Sequence, residues 1–157
     1  MSVALVWRRV AILAAAFPLA GIAQPEEKAV LGAVQQFFDV LATRDVAAAR
    51  ELFLPEARFV VASESAGKRA VAGRSVTEFL EGLAKGKEKL LERMWAPEVR
   101  IRGGIAAVWT PYDFHRDGKF SHCGVDAFHL VKTEGGWKIA GAMYTVEREG
   151  CGLKPRP

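Results

Sequence analysis

Two-residue turn signals at Asp117-Gly118 and Gly135-Gly136 divide the stretch from Trp109 to Thr145 into three long strands, and this ribbon constrains the chain more than any other feature. A two-residue turn fixes the register of its hairpin, so each turn dictates which side chains share a face. A third signal, Gly103-Gly104, extends the ribbon to a four-strand antiparallel meander over about 90–102, 105–116, 119–133 and 137–148. Pro97 marks an edge or a bulge in the first strand. The ribbon holds all three histidines, His115, His122 and His129, together with Cys123. Any ligand or substrate is expected to touch it.

Helical periodicity dominates the chain ahead of the ribbon. Val30, Val34, Phe37 and Leu41 recur every three or four residues from Pro25 to Thr43, with Pro25 suited to the first turn and Glu26 and Glu27 complementing the positive helix end. Asp45 reads as the N-cap of a short second helix, Val46 to Phe53, stopped by Pro55. Residues 58–62 and 69–72 form a small hairpin across a polar turn. Ser75 and Glu78 have capping-box spacing, which predicts a third helix from Ser75 to Lys85 closed by Gly86.

At 157 residues, half of them apolar, the chain suits one α+β domain with a core of ordinary size. Residues 1–23 differ in composition: Arg8 and Arg9 precede an apolar run, and Gly21-Ile22-Ala23 offers small residues for a signal peptidase. The expected division is a signal peptide over 1–23, a domain over 24–150 and an irregular tail over 151–157. The apolar run falls short of the roughly 20 residues that span a bilayer, so no stable membrane anchor is expected once the signal is removed. A periplasmic or secreted location follows. Without the signal the chain has 20 basic and 18 acidic residues, close to balance. It shows no clustered basic face with interleaved aromatics, so nucleic acid is not an expected partner. Cys123 and Cys151 permit one disulfide in an oxidising compartment; the alternatives are a buried Cys123 with Cys151 free or bonded to another chain.

The element order resembles the nuclear transport factor 2-like superfamily, in which a strongly curved sheet wraps around helices into a cone with an open mouth. The resemblance rests on Thr43-Arg44-Asp45 leading into Leu52-Phe53-Leu54-Pro55-Glu56-Ala57, and on Gly135-Gly136-Trp137-Lys138-Ile139. The segment from Ser121 to Phe128 looks like that of the exported, uncharacterised members of the SnoaL-like branch. The resemblance implies a cone built on three N-terminal helices. That superfamily holds both binders and enzymes such as isomerases, dehydratases and hydrolases, and its sheets are often used to dimerise, so a homodimer is a further expectation.

Register arithmetic names a candidate pocket. If Asp117-Gly118 is the turn, residues whose numbers sum to 235 face each other, which sets Asp113 opposite His122 and Trp109 opposite Asp126. If Gly135-Gly136 is the turn, the sum is 271, setting Asp126 opposite Thr145 and Phe128 opposite Met143. Alternation then puts Trp109, Asp113, His115, His122, Asp126, Phe128, Leu130, Ile139, Met143 and Thr145 on one face, with one bulge sufficient to reverse part of the assignment. An apolar end near Leu130 and a polar end near His122 suit a small, largely apolar molecule. Trp109, Phe128, Met143 and Thr145 are the expected ligand contacts.

Asp113 across from His122 is the expected catalytic pair, a carboxylate orienting and raising an imidazole, with Asp126 assisting. Cross-strand Asp/His pairs also serve only to stabilise sheets, by roughly 0.2–1 kcal/mol. His129 falls on the opposite face, and so does Cys123, which disfavours a Cys/His dyad. No metal is expected, because neither H-x-H nor H-E-x-x-H spacing occurs, and no cofactor is expected, because no phosphate-cradling loop is present.

Overall fold

The computed structural model describes residues 23–65, 67–148 and Cys151, so nearly all of the expected signal segment lies outside the described residues. Helix α1, Ala23–Thr43, buries Val30, Val34, Phe37, Phe38 and Leu41 along one stripe. The chain reverses at Arg44, whose φ of 56° lies in the left-handed region. Helix α2, Val46–Glu51, starts where the Asp45 carboxylate accepts the Ala48 amide at 2.9 Å. It ends sooner than Pro55 alone would dictate. Leu52 closes the helix, and its carbonyl accepts the Ile139 amide at 2.7 Å, so Phe53 already belongs to the sheet.

Strand β1, Phe53–Ser65, pairs antiparallel with β2, Lys68–Ser75, and parallel with the last strand, β7, Gly136–Val146. Both hairpin strands are longer than periodicity alone indicated. Helix α3, Val76–Lys85, carries the complete capping box: Ser75 Oγ accepts the Glu78 amide, and the Glu78 carboxylate accepts the Ser75 amide at 2.7 Å.

The expected strand at 90–102 is two strands, β3, Leu90–Met94, and β4, Glu98–Arg102, both paired with β5, Ile105–Arg116. Ala96, with φ 47°, and Pro97 make the break, since neither conformation continues a ladder. Strand β6, Lys119–Thr133, completes a single mixed seven-stranded sheet in the order β2-β1-β7-β6-β5-β3, with β4 also on β5. The parallel β1–β7 contact joins the small hairpin to the meander.

Two bulges and one turn overrule the predicted register. Asp117-Gly118 is a two-residue turn with both φ angles positive, and the first two rungs follow it: Arg116 faces Lys119 and His115 faces Phe120. Ser121 is then extra on β6, so Phe114 faces His122, Asp113 faces Cys123 and Trp109 faces Ala127. The last hairpin turns at Glu134-Gly135, one residue before the expected Gly135-Gly136, and Ala140 bulges out of β7. Asp126 therefore faces Tyr144, not Thr145, and Phe128 faces Ala142, not Met143.

The core lies between the helices and the concave side of this sheet. Phe37 of α1 is its hub, with ring centroids of Phe38, Phe53, Phe59, Phe79 and Phe128 all 5.7–5.9 Å away. Tilted and edge contacts at such distances add to the apolar burial itself.

Candidate functional site

The sheet and helices do not close completely on one another. They leave an open cavity of about 330 Å³, at the small end of the roughly 300–1,000 Å³ of ligand pockets. Phe37 of α1 and Phe79 of α3 line it from the helices, and Phe59, Tyr112, Phe114, Phe128 and Tyr144 line it from the sheet. Strand alternation sets the depth of its polar groups. Arg116 stands beside the Asp117-Gly118 turn at the rim, Phe114 and His122 form the next rung inward, and Asp126 lies deeper, opposite Thr110.

Of the residues expected on this face, the structure brings His122, Asp126 and Phe128 to the cavity. Leu130 and Ile139 are buried in the adjoining core. Trp109 and Met143 project from the convex side, about half exposed, because the Ser121 and Ala140 bulges and the earlier turn displace β5 and β7 relative to β6. Thr145 does not line the cavity either: its Oγ1 accepts the Val125 amide at 3.0 Å. Asp113 is also on the convex side, where Arg93 grips it through two hydrogen bonds of 2.9 and 2.5 Å and His115 lies 3.5 Å away. Burial pushes the Asp113 carboxyl up, but the Arg93 bonds and charge, with His115, outweigh this and hold it below its usual value. The expected Asp113–His122 pair does not form. Cys123 and His129 do face away from the cavity, and Cys123 sits at disulfide distance from Cys151, with Cα atoms 6.0 Å apart.

His122 is consequently not the raised imidazole of the expected pair. Its ring lies 4.9 Å from Phe114 and 5.8 Å from Tyr112, and its Nδ1 is 3.1 Å from Ser121 Oγ. Burial, reinforced by the positive charges of Arg116 and Arg148, pushes its pKa down to about 4. At neutral pH it is an uncharged donor and acceptor.

The second acid of the site is Glu92 of β3. Its carboxyl, on a half-buried side chain, meets that of the buried Asp126 at the cavity. Desolvation raises both, and for Glu92 the Asp126 charge adds to the rise; Asp126 moves up to about 7. Two carboxyl groups in contact, one of them buried, favour holding one proton between them. The polar accounting agrees: Oδ2 of Asp126 is buried and has no hydrogen-bond partner, so a proton shared with Glu92 would supply the donor that this oxygen lacks. Tyr112, also buried, donates its hydroxyl to the Thr145 carbonyl at 2.7 Å, and burial together with the Asp126 charge raises its phenol well above the ordinary range. Gly124 sits opposite Tyr112 because the β7 end comes so close: a Cβ there would lie 2.3 Å from the Thr145 carbonyl oxygen.

Glu92, Tyr112 and the rim arginines escaped the sequence reading. One signal for Glu92 was available, since it interrupts the apolar positions Leu90 and Met94 at period two on a strand. Among the described residues no group of three or more His, Cys, Asp or Glu side chains could hold a metal ion.

The sequence matches the family model described as "putative lumazine-binding" over residues 25–145. No curated protein matches it significantly. Solved structures share the architecture. A nuclear transport factor 2-like protein from Cytophaga hutchinsonii superposes with a TM-score of 0.64 at 13% identity, covering 78% of this chain and 98% of that one. A superfamily member from Salmonella enterica serovar Typhimurium gives 0.63 at 16% identity, covering 84% and 99%. A protein from Streptomyces avermitilis, described as a "putative dehydratase" of the same family, gives 0.61 at 16% identity, covering 79% and 97%. At these identities the structural likeness establishes the fold alone.

Proposed function

We propose, for a chain that belongs to the family described as "putative lumazine-binding" within the nuclear transport factor 2-like superfamily, that the conical cavity binds a small, flat, largely apolar molecule. The observation that carries this reading is an open, phenylalanine-walled cavity with a few convergent polar groups at one end. Flat aromatic molecules suit such walls through offset and edge contacts. Titration with lumazine and with the neutral bicycle quinoxaline tests it. Saturable binding is expected, and Ala142→Leu, which fills the cavity beside Phe128, should weaken it while the far-ultraviolet circular dichroism stays unchanged. Binding of neither probe, or binding indifferent to Ala142→Leu, sinks the reading.

The carboxyl pair supports a second reading, a cofactor-independent isomerase, dehydratase or hydrolase. A carboxyl that titrates near neutrality in a water-poor site is suited to general acid–base work, and neutral His122 is suited to orient a substrate. Asp113, expected as His122's partner, has no part in it. Turnover that survives Asp126→Asn would argue against this alternative. An exported location and a homodimer formed through the convex row of Trp109, Ala127 and Met143 complete the proposal. Among the described residues no helix is long and apolar enough to cross a membrane.

A further inference from the structure

The polar groups of the cavity are segregated by charge. Arg74 and Arg116 stand exposed at the rim, their guanidinium groups 4.9 Å from the Phe79 ring centroid and 5.7 Å from that of Phe114. Neither makes an ion pair among the described residues. The other rim arginine, Arg44, is committed: it donates to the Leu83 and Glu88 carbonyls and pairs with the Glu88 carboxylate at 3.1 Å. Stacking on aromatic faces leaves the N–H edges of Arg74 and Arg116 free for an anion. Farther in, Asp126 is 4% exposed, its Oδ2 has no partner, and Glu92 is beside it. Glu92 reaches Asp126 from the Phe114 rung, two residues or roughly 7 Å along β5 from Arg116, and Asp126 itself lies deeper, opposite Thr110.

A buried acceptor without a donor is costly, and an adjacent second carboxyl supplies the complementary function, since a carboxylate accepts and a carboxylic acid donates. Together they match a lactam edge, an N–H beside a C=O. Resting on the binding function proposed above, we propose that the cavity selects a planar fused N-heteroaromatic by both ends. Glu92 and Asp126 take a lactam edge at the inner end, and Arg74 and Arg116 take an anionic substituent at the mouth. An arrangement with the arginines inside would leave a charge buried far from any counter-charge. The reverse orientation of the ligand would set its anion against Asp126.

Four bicycles separate the contributions. Pterin-6-carboxylate has both ends, pterin only the lactam edge, 2-naphthoate only the anion, and quinoxaline neither. Fluorescence titration of the whole protein at pH 7 should rank pterin-6-carboxylate first, by about tenfold or more over each of the others, since each lost end removes a charge-assisted hydrogen bond. Asp126→Asn and Glu92→Gln should weaken pterin and leave 2-naphthoate unchanged. Arg74→Gln and Arg116→Gln should do the opposite. Equal affinity for pterin-6-carboxylate and quinoxaline overturns selection by the ends while the cavity reading stands; so does tight binding that all four variants leave untouched. If none of the four bicycles binds, both readings fall.

Discussion

Asp126 is the residue on which most of the site depends. It is packed against Glu92 from β3, Tyr112 from β5 and Tyr144 from β7, with neutral His122 on its own strand. Its folded pKa of about 7 lies above the ordinary value of 3.8, so between those values the native state holds a proton that the unfolded chain releases. Stability from this source is complete below about pH 4 and is lost as pH rises through about 7. His122 acts in the opposite sense. Its pKa is lowered to about 4 from 6.5, so it opposes folding at acid pH and ceases to do so as pH rises through 6.5. The two effects offset one another over much of the acid range, and the Asp126 loss stands out near neutrality. Urea denaturation at pH 5, 6 and 7.5 should therefore show wild type falling relative to Asp126→Asn as pH rises, with a slope of up to about 1.4 kcal/mol per pH unit. A constant difference between the two proteins would mean that Asp126 ionises normally.

At the scale of elements, the cap of α3 offers the cleanest test. Ser75 and Glu78 exchange hydrogen bonds across the first turn, and the helix they start carries Phe79 and Leu83 to the cavity wall. Ser75→Ala should cost about 1 kcal/mol in thermal or urea unfolding and leave ligand affinity nearly unchanged. A loss of affinity larger than the loss of stability would show that α3 moves when its cap is removed. This helix was legible because capping is local: two residues three positions apart specify its start. The Asp117-Gly118 turn was legible for the same reason, and its register held for the two rungs nearest to it. Beyond that the information is not local. Ser121 bulges between Phe120 and His122 in a sheet that must curve around α1, and nothing in Phe120-Ser121-His122 itself distinguishes a bulge from a rung. One extra residue exchanges the faces of everything that follows, so Asp113 moved to the convex side while His122, Asp126 and Phe128, all beyond the bulge on β6, still shared the cavity face. Glu134-Gly135 and Gly135-Gly136 are equally plausible turns by composition, and Ala140 made the error in that hairpin compound.

The molecule as a whole has an open cavity on the concave side of its sheet and an outside with two features of its own. Trp109, Ala127 and Met143 are consecutive cross-strand neighbours on the convex face, and the first and last are about half exposed. Such a row is a candidate for contact between copies. Trp109→Lys with Met143→Lys should convert a dimer to a monomer in sedimentation velocity without altering affinity in the cavity, which lies on the other side of the sheet; a wild-type protein that sediments as a monomer at high concentration removes the proposal. The second feature is the tail. The backbones of Cys123 and Glu147 exchange two hydrogen bonds of 2.9 Å, and Cys151, 28 residues beyond Cys123, returns to disulfide distance from it. This tie would anchor the chain end on the convex face of β6, directly behind the strand that presents His122 and Asp126. Closing a loop of that length restricts the unfolded chain by roughly 3–4 kcal/mol. Nonreducing mass spectrometry of exported protein should show a mass two hydrogens lower than the reduced chain. Cys123→Ser with Cys151→Ser should lower the unfolding free energy by about that amount. The same pair of substitutions should make stability indifferent to reductant, whereas wild type should lose most of the difference in dithiothreitol. Equal stability of wild type with and without reductant would show that the two sulfurs are close but unbonded, and would remove the strongest structural argument for an oxidising compartment.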